Sequence, residues 1–168
     1  MIFLETKRLI LRNVQPKDAD TIFEYRNDER CARYQRGQTK DLAGIQTLTE
    51  KRAQDVLGLE SNCFVAMENR ETGEMVGEIV VMPGDGCFTL GYTVSWRHHR
   101  KGYAFEALSA LTEYLHETYP EQEFICFTDP KNEPSMALLR KLGYENYGYV
   151  EKIDSNVFGK WIVGDPLK

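Results

Sequence analysis

Val94-Ser-Trp-Arg-His-His-Arg-Lys-Gly-Tyr-Ala104 decides how the rest of the chain is read. An extended run ends at Val94, a basic loop follows, and a helical pattern starts at a glycine. Such a junction aims unpaired backbone N–H groups and the positive end of a helix dipole at one point, which is where an anion binds. Arg97, Arg100 and Lys101 add positive charge, and Gly102 keeps a Cβ out of the way of the ligand. A diphosphate suits this place. A Walker loop would need a hydroxyl residue after a Gly-Lys pair, and a dinucleotide fingerprint would need three glycines where one is present, so both are set aside.

C-terminal to the loop, Ala104, Ala107, Leu108, Leu111 and Leu115 form an apolar stripe opposite Glu106, Ser109, Glu113 and Glu117, which predicts a helix from Gly102 to about Thr118. Phe124 to Phe127 reads as a buried strand. A short helix over Pro134 to Leu142 follows, started by Asn132 or Glu133 and stopped by Gly143. Tyr147 to Ile153 and Val157 to Val163 form a hairpin around Asp154-Ser155-Asn156. On the N-terminal side, Cys63 to Glu68, Met75 to Met82 and Cys87 to Ser95 alternate as an antiparallel meander, divided by Glu71-Thr72-Gly73 and Pro83-Gly84-Asp85-Gly86. Before it come a strand at Leu9 to Val14 and a helix opened by Pro16. That helix carries Ala19, Ile22, Phe23 and Arg26 on one side. A second helix, from about Asp41 to Leu57, shows Ile45, Leu48, Ala53 and Val56 on one face. The order predicts an α/β (α+β) fold: a mixed, mostly antiparallel central sheet of about seven strands flanked by helices on both faces.

The chain has 168 residues, 42% hydrophobic and 28% charged, and shows no repeat or linker, so residues 1–168 read as one domain with one site. The N-terminus lacks the apolar run of a signal peptide, and no stretch approaches membrane-spanning length; a cytoplasmic protein with no membrane partner is expected. Cys31, Cys63, Cys87 and Cys126 are scattered without a CxxC pair, which predicts reduced thiols rather than a zinc site or disulfide scaffold. A formal net charge of -5 argues against nucleic acid as a partner.

The loop resembles the acyl-coenzyme A signature of the GNAT superfamily, V-x-x-x-x-[QR]-x-x-G-x-[GA], with Val94, Gly102 and Ala104 in register and His99 where Gln or Arg is usual. Asp129-Pro-Lys-Asn132-Glu-Pro-Ser135, followed by Leu139-Arg-Lys-Leu-Gly143-Tyr144, looks like the family's N-x-x-S…K-x-G-[FY] block. Leu4-Glu-Thr-Lys-Arg-Leu-Ile-Leu-Arg12 and Leu90-Gly91-Tyr92 are similar to the branch that includes the ribosomal-protein N-terminal acetyltransferases. The resemblance implies the GNAT acyltransferase fold, acetyl-CoA as co-substrate without a metal, and transfer of its acetyl group to a primary amine by direct attack in a ternary complex. It implies a diphosphate cradle at Arg100, Lys101, Gly102, Tyr103 and Ala104, with a side-chain contact at His99. It also implies that main chain at Tyr92, Thr93 and Val94 holds the pantetheine arm, together with Asn132 and Ser135. Homodimers are common among proteins of this kind.

Thioester aminolysis needs a neutral amine, an oxyanion donor and a proton for the thiolate. The resemblance places a backbone N–H near Gly91 at the carbonyl, and glycine within a strand often marks close backbone approach. It carries over neither the usual glutamate base nor the usual tyrosine acid, because those positions are Thr89 and Leu139. Ser135 is the candidate catalytic proton donor, or it simply starts a helix. Glu78 is the candidate base, or it lies on the solvent face of the sheet. Tyr25, Asn27, Arg33 and Tyr34 are the candidate acceptor pocket. His98 and His99 lack a third ligand, so no metal is expected, and His116 reads as a solvated residue. The acceptor, a peptide N-terminus or a small amine, stays open. The alternative to an enzyme is an acyl-CoA-binding sensor without catalysis.

Overall fold

A hairpin starts the chain, its strands β1 (Ile2–Glu5) and β2 (Leu9–Asn13) held at the turn by Thr6, whose Oγ1 accepts from the Leu9 amide at 3.0 Å. The computed structural model describes residues 1–167. Pro16 begins a short 3-10 turn that runs into α1 (Ala19–Arg26). Asp28 then caps the brief α2 (Glu29–Ala32), and Asp41 caps α3 (Leu42–Arg52). Strands β3 (Cys63–Asn69), β4 (Met75–Gly84) and β5 (Cys87–Val94) form the expected meander. β4 runs through Pro83 and Gly84, because Asp85 (φ 53) and Gly86 (φ 78) alone make the two-residue turn. After α4 (Tyr103–Thr118) come β6 (Glu123–Thr128), α5 (Glu133–Lys141), β7 (Glu145–Val150) and β8 (Ser155–Lys160).

The sheet has eight strands in the order β1-β2-β3-β4-β5-β6-β8-β7, antiparallel throughout except for β5 beside β6. The expected seven become eight because Ile2 to Glu5, too short to register as a strand alone, gains its partner from β2. Strand alternation explains why helices cover both faces. Val65 and Met67 point into a core shared with Leu108 and Leu111 of α4 and Leu139 of α5, whereas Ala66 points into a second core with Ile22, Tyr25 and Ile45 of α1 and α3. The Phe88 ring lies 5.4 Å from Phe124 and 5.8 Å from Tyr119, tying β5, β6 and the end of α4 together.

Four local expectations change. Phe23 is exposed, while Tyr25 takes its place in the core with Ile22. Val56 is also exposed, since α3 stops at Arg52 and the remaining residues turn away. β8 ends at Lys160, where Trp161 adopts a left-handed backbone (φ 55). That turn lays the indole flat on His116, centroids 3.7 Å apart, so His116 is a stacking partner rather than a free solvated ring.

Candidate active site

β5 and β6 pair only at Cys87↔Glu123, Phe88↔Phe124 and Thr89↔Ile125, and then diverge. β5 continues to Val94 and β6 to Thr128, so the strands open like a wedge whose inner edges do not pair with each other. The opening is a cleft of about 560 Å³, with Leu90 to Val94 on one wall and Phe127 to Asp129 on the other. The start of α4 and the first turns of α5 close one side, and Cys31, Tyr34 and Gln35 close the other.

At the mouth, the loop from β5 to α4 builds the anion cradle. Arg100 (φ 62) and Gly102 (φ 77) both hold left-handed backbones, which turns successive amides toward the cleft. The first bond back into α4 is Glu106 N–H to the Gly102 carbonyl at 3.1 Å, which leaves the amides of Tyr103, Ala104 and Phe105 as first-turn donors. Arg8 reaches in from the opening hairpin, donating to the Lys101 carbonyl at 2.8 Å, pairing with Glu106 at 2.7 Å and covering the Tyr103 ring. A Cβ on Gly102 would meet only Arg8 Nη2 at 3.5 Å, so its conformation, more than space, requires glycine.

His99 folds back onto the end of β5, its Nε2 2.8 Å from the Val94 carbonyl. The Cys31 thiol donates to the same oxygen at 3.4 Å, and burial raises its pKa, keeping it protonated. His98 points elsewhere, 3.2 Å from Glu74. Among the described residues no group of three or more His, Cys, Asp or Glu side chains is placed to hold a metal ion.

Tyr92 and Ser135 meet inside the cleft, phenol to hydroxyl at 2.5 Å. Burial raises the Tyr92 pKa well above its ordinary value. Ser135 is positioned by helix capping: Asn132 Oδ1 accepts from its amide at 3.3 Å at the start of α5. Leu139 is fully buried in the core, one turn further along. Thr93 also lines the cleft, with Glu78 as its neighbour on β4.

Glu78 is neither on a wet face nor in the cleft. Its carboxylate is buried, bidentate with Arg26, at 3.0 Å to Nε and 2.9 Å to Nη2. Arg26 spends its third donor on the Thr39 carbonyl at 3.0 Å, fixing the segment that leads into α3. Of the acceptor candidates, Tyr34 lines the cleft. Tyr25 lies wholly in the core, its pKa raised by burial and by the Glu78 charge. Asn27 is exposed and bonds the Phe23 and Lys40 carbonyls, and Arg33 is exposed over the Tyr34 ring. Sequence reasoning missed Gln35, whose Nε2 reaches the Tyr92 carbonyl at 3.5 Å, and Phe127, half exposed on the opposite wall. It also missed Arg36, which straps the cleft's end by pairing with Asp129 at 2.7 Å and donating to the Ile153 carbonyl at 3.0 Å. The Lys131 amide, then Arg36, holds the Asp129 pKa below its ordinary value. Residues 29 to 36 show no periodicity, so only the crowding of arginines marked them.

Residues 8–145 match the family described as "Acetyltransferase (GNAT) domain". An uncharacterized N-acetyltransferase of Bacillus subtilis, YnaD, is 26% identical over 153 residues, 89% of this chain and 86% of that protein. The [ribosomal protein uS5]-alanine N-acetyltransferase of Escherichia coli is 27% identical over 162 residues, 88% and 80% of the two chains. Among solved structures, RimL, a ribosomal L7/L12 alpha-N-protein acetyltransferase in complex with coenzyme A, superposes with a TM-score of 0.80. It is 12% identical, and the match covers 95% of this chain and 97% of that one.

Proposed function

Because the chain belongs to the GNAT acetyltransferase family, we propose that it carries an acetyl group from acetyl-CoA to a primary amine by direct attack in a ternary complex. The observation that carries this reading is the continuity of one cleft, from the paired left-handed residues Arg100 and Gly102 to the unpaired edges of β5 and β6. A diphosphate suits the amides from Arg100 to Ala104, as expected of a helix start flanked by positive-φ residues. An extended amide-bearing arm suits the open edge from Tyr92 to Val94, with Asn132 and Ser135 across from it. A main-chain N–H near Gly91 would polarise a thioester carbonyl held there.

The acceptor enters past Tyr34, Gln35 and Phe127. Relatives named for ribosomal-protein acetylation support a protein or peptide amine. So does acid–base chemistry. Asp129 is the carboxylate on the cleft wall, and its commitments to Arg36 and the Lys131 amide keep it a weak base. An α-amine that titrates near ~8 is already partly neutral at physiological pH, whereas a lysine amine near ~10.4 is not. Among the described residues no helix is long and apolar enough to cross a membrane; the proposed setting is the cytoplasm, where acetyl-CoA is available.

Thermal unfolding with and without acetyl-CoA, followed by thiol release on adding short peptides or a polyamine, tests this reading. At about a hundredfold the dissociation constant, binding adds ~2.7 kcal/mol, or roughly 5–10 °C. That shift, with thiol release on peptide addition, supports the enzyme. A shift without thiol release on any amine supports a sensor, and no shift removes the coenzyme from the account.

A further inference from the structure

The departing thiolate needs a proton, and α5 offers no phenol along Glu133–Lys141, its Leu139 being part of the core. A phenol arrives instead from the strand. Phe88, Leu90 and Tyr92 alternate onto the face of β5 that α4 and α5 cover, whereas Gly91 and Thr93 point to the α1 and α3 side. Leu90 and Tyr92 both lie beyond the last β5–β6 pair, in the open wedge; Tyr92 is the one of the two that carries a hydroxyl, and it meets Ser135 Oγ at 2.5 Å. Both side chains line the cleft. We propose that Tyr92 supplies, through Ser135, the proton that the leaving coenzyme thiolate takes up. The inference rests on the acetyltransferase reading above.

The amine nitrogen bonds to the carbonyl carbon, and collapse of the adduct breaks the C–S bond with its electron pair going to sulfur. Sulfur takes the Ser135 hydroxyl proton, Ser135 takes the Tyr92 phenol proton, and the phenol recovers the proton that the amine nitrogen gives up. The products are the amide and the free thiol, with the protein unchanged. Burial disfavours a standing phenolate, so the hydroxyl pair transfers and regains its proton as one neutral unit.

The test compares Y92F, S135A and the double variant with acetyl-CoA and with the acetyl selenoester of seleno-CoA. The selenoester keeps the whole binding arm, and its selenolate leaves without protonation. With acetyl-CoA, each single variant should lose on the order of 10²-fold in kcat with little change in KM for the donor. The double variant should lose little more than either one, because the two act as a unit. With the selenoester the loss should shrink to a few-fold. Wild-type kcat in Y92F, or the same loss with both donors, would overturn the inference, since a packing role is blind to the leaving group. If the wild-type protein binds acetyl-CoA but acetylates no amine, the functional reading falls and takes the inference with it; wild-type turnover with an unaffected Y92F removes the inference alone.

Discussion

Glu78 and Arg26 keep 2% and 4% of their side chains exposed, and two hydrogen bonds from the guanidinium satisfy the two carboxylate oxygens. Removing one partner leaves an uncompensated charge in the interior, so E78A should lose about 3–5 kcal/mol in urea unfolding. Replacing both together, as in R26M/E78M, should restore most of that loss. Catalysis by Glu78 would instead show as a collapse of kcat in E78Q at an unchanged melting temperature, and that is not expected. Gly102 makes a second case. With φ 77 and open space around it, G102A should cost about 1–2 kcal/mol from backbone strain and weaken coenzyme binding without unfolding the chain. Calorimetry with and without acetyl-CoA separates the two effects. Gly102, Asn132 and Ser135 were legible because their roles are local, a positive φ or a cap within three residues. Glu78 with Arg26, and Tyr92 with Ser135, are partners 52 and 43 positions apart, which no local pattern connects.

Long α4 announced itself because its apolar stripe repeats through 16 residues. The four residues of α2 carry no period and depend on Asp28, which caps the helix and holds the Arg30 guanidinium that stacks 3.9 Å over Trp96. Hydrogen bonding to Arg30 lowers the Asp28 pKa from 3.8 to about 2. A depressed carboxylate stabilises above its unfolded pKa and loses that contribution as pH falls through the folded one. Trp96 fluorescence, read in a W161F background, should therefore change between pH ~4 and pH ~2. D28N should lack that titration. The same emission change in D28N would assign it to another group. The effect on global stability should be small, because the pair is solvent-accessible. β1 was illegible for a related reason: a strand of four half-exposed residues is specified by its partner more than by itself.

Across the whole molecule, the wedge opens beside one aromatic cluster of the larger core. Phe88 grips Phe124 and Tyr119 just before the strands part, so F88A should cost about 3–5 kcal/mol in urea unfolding and lower coenzyme affinity as the hinge of the wedge loosens. An affinity loss with unchanged stability would mean that the strands separate without this clamp. The sheet and its helical layers were readable from periodicity and turns. The strand order was not, because β6-β8-β7 depends on which edge the last hairpin chooses. That choice bears on synthesis. β7 is translated before β8 yet pairs only with β8, which in turn occupies the place beside β6. On the ribosome, β7 and the outer edge of β6 therefore stay without a partner strand until β8 emerges. A pause in translation before β8 has left the exit tunnel would hold the nascent chain while those edges are open to pairing with the wrong strand.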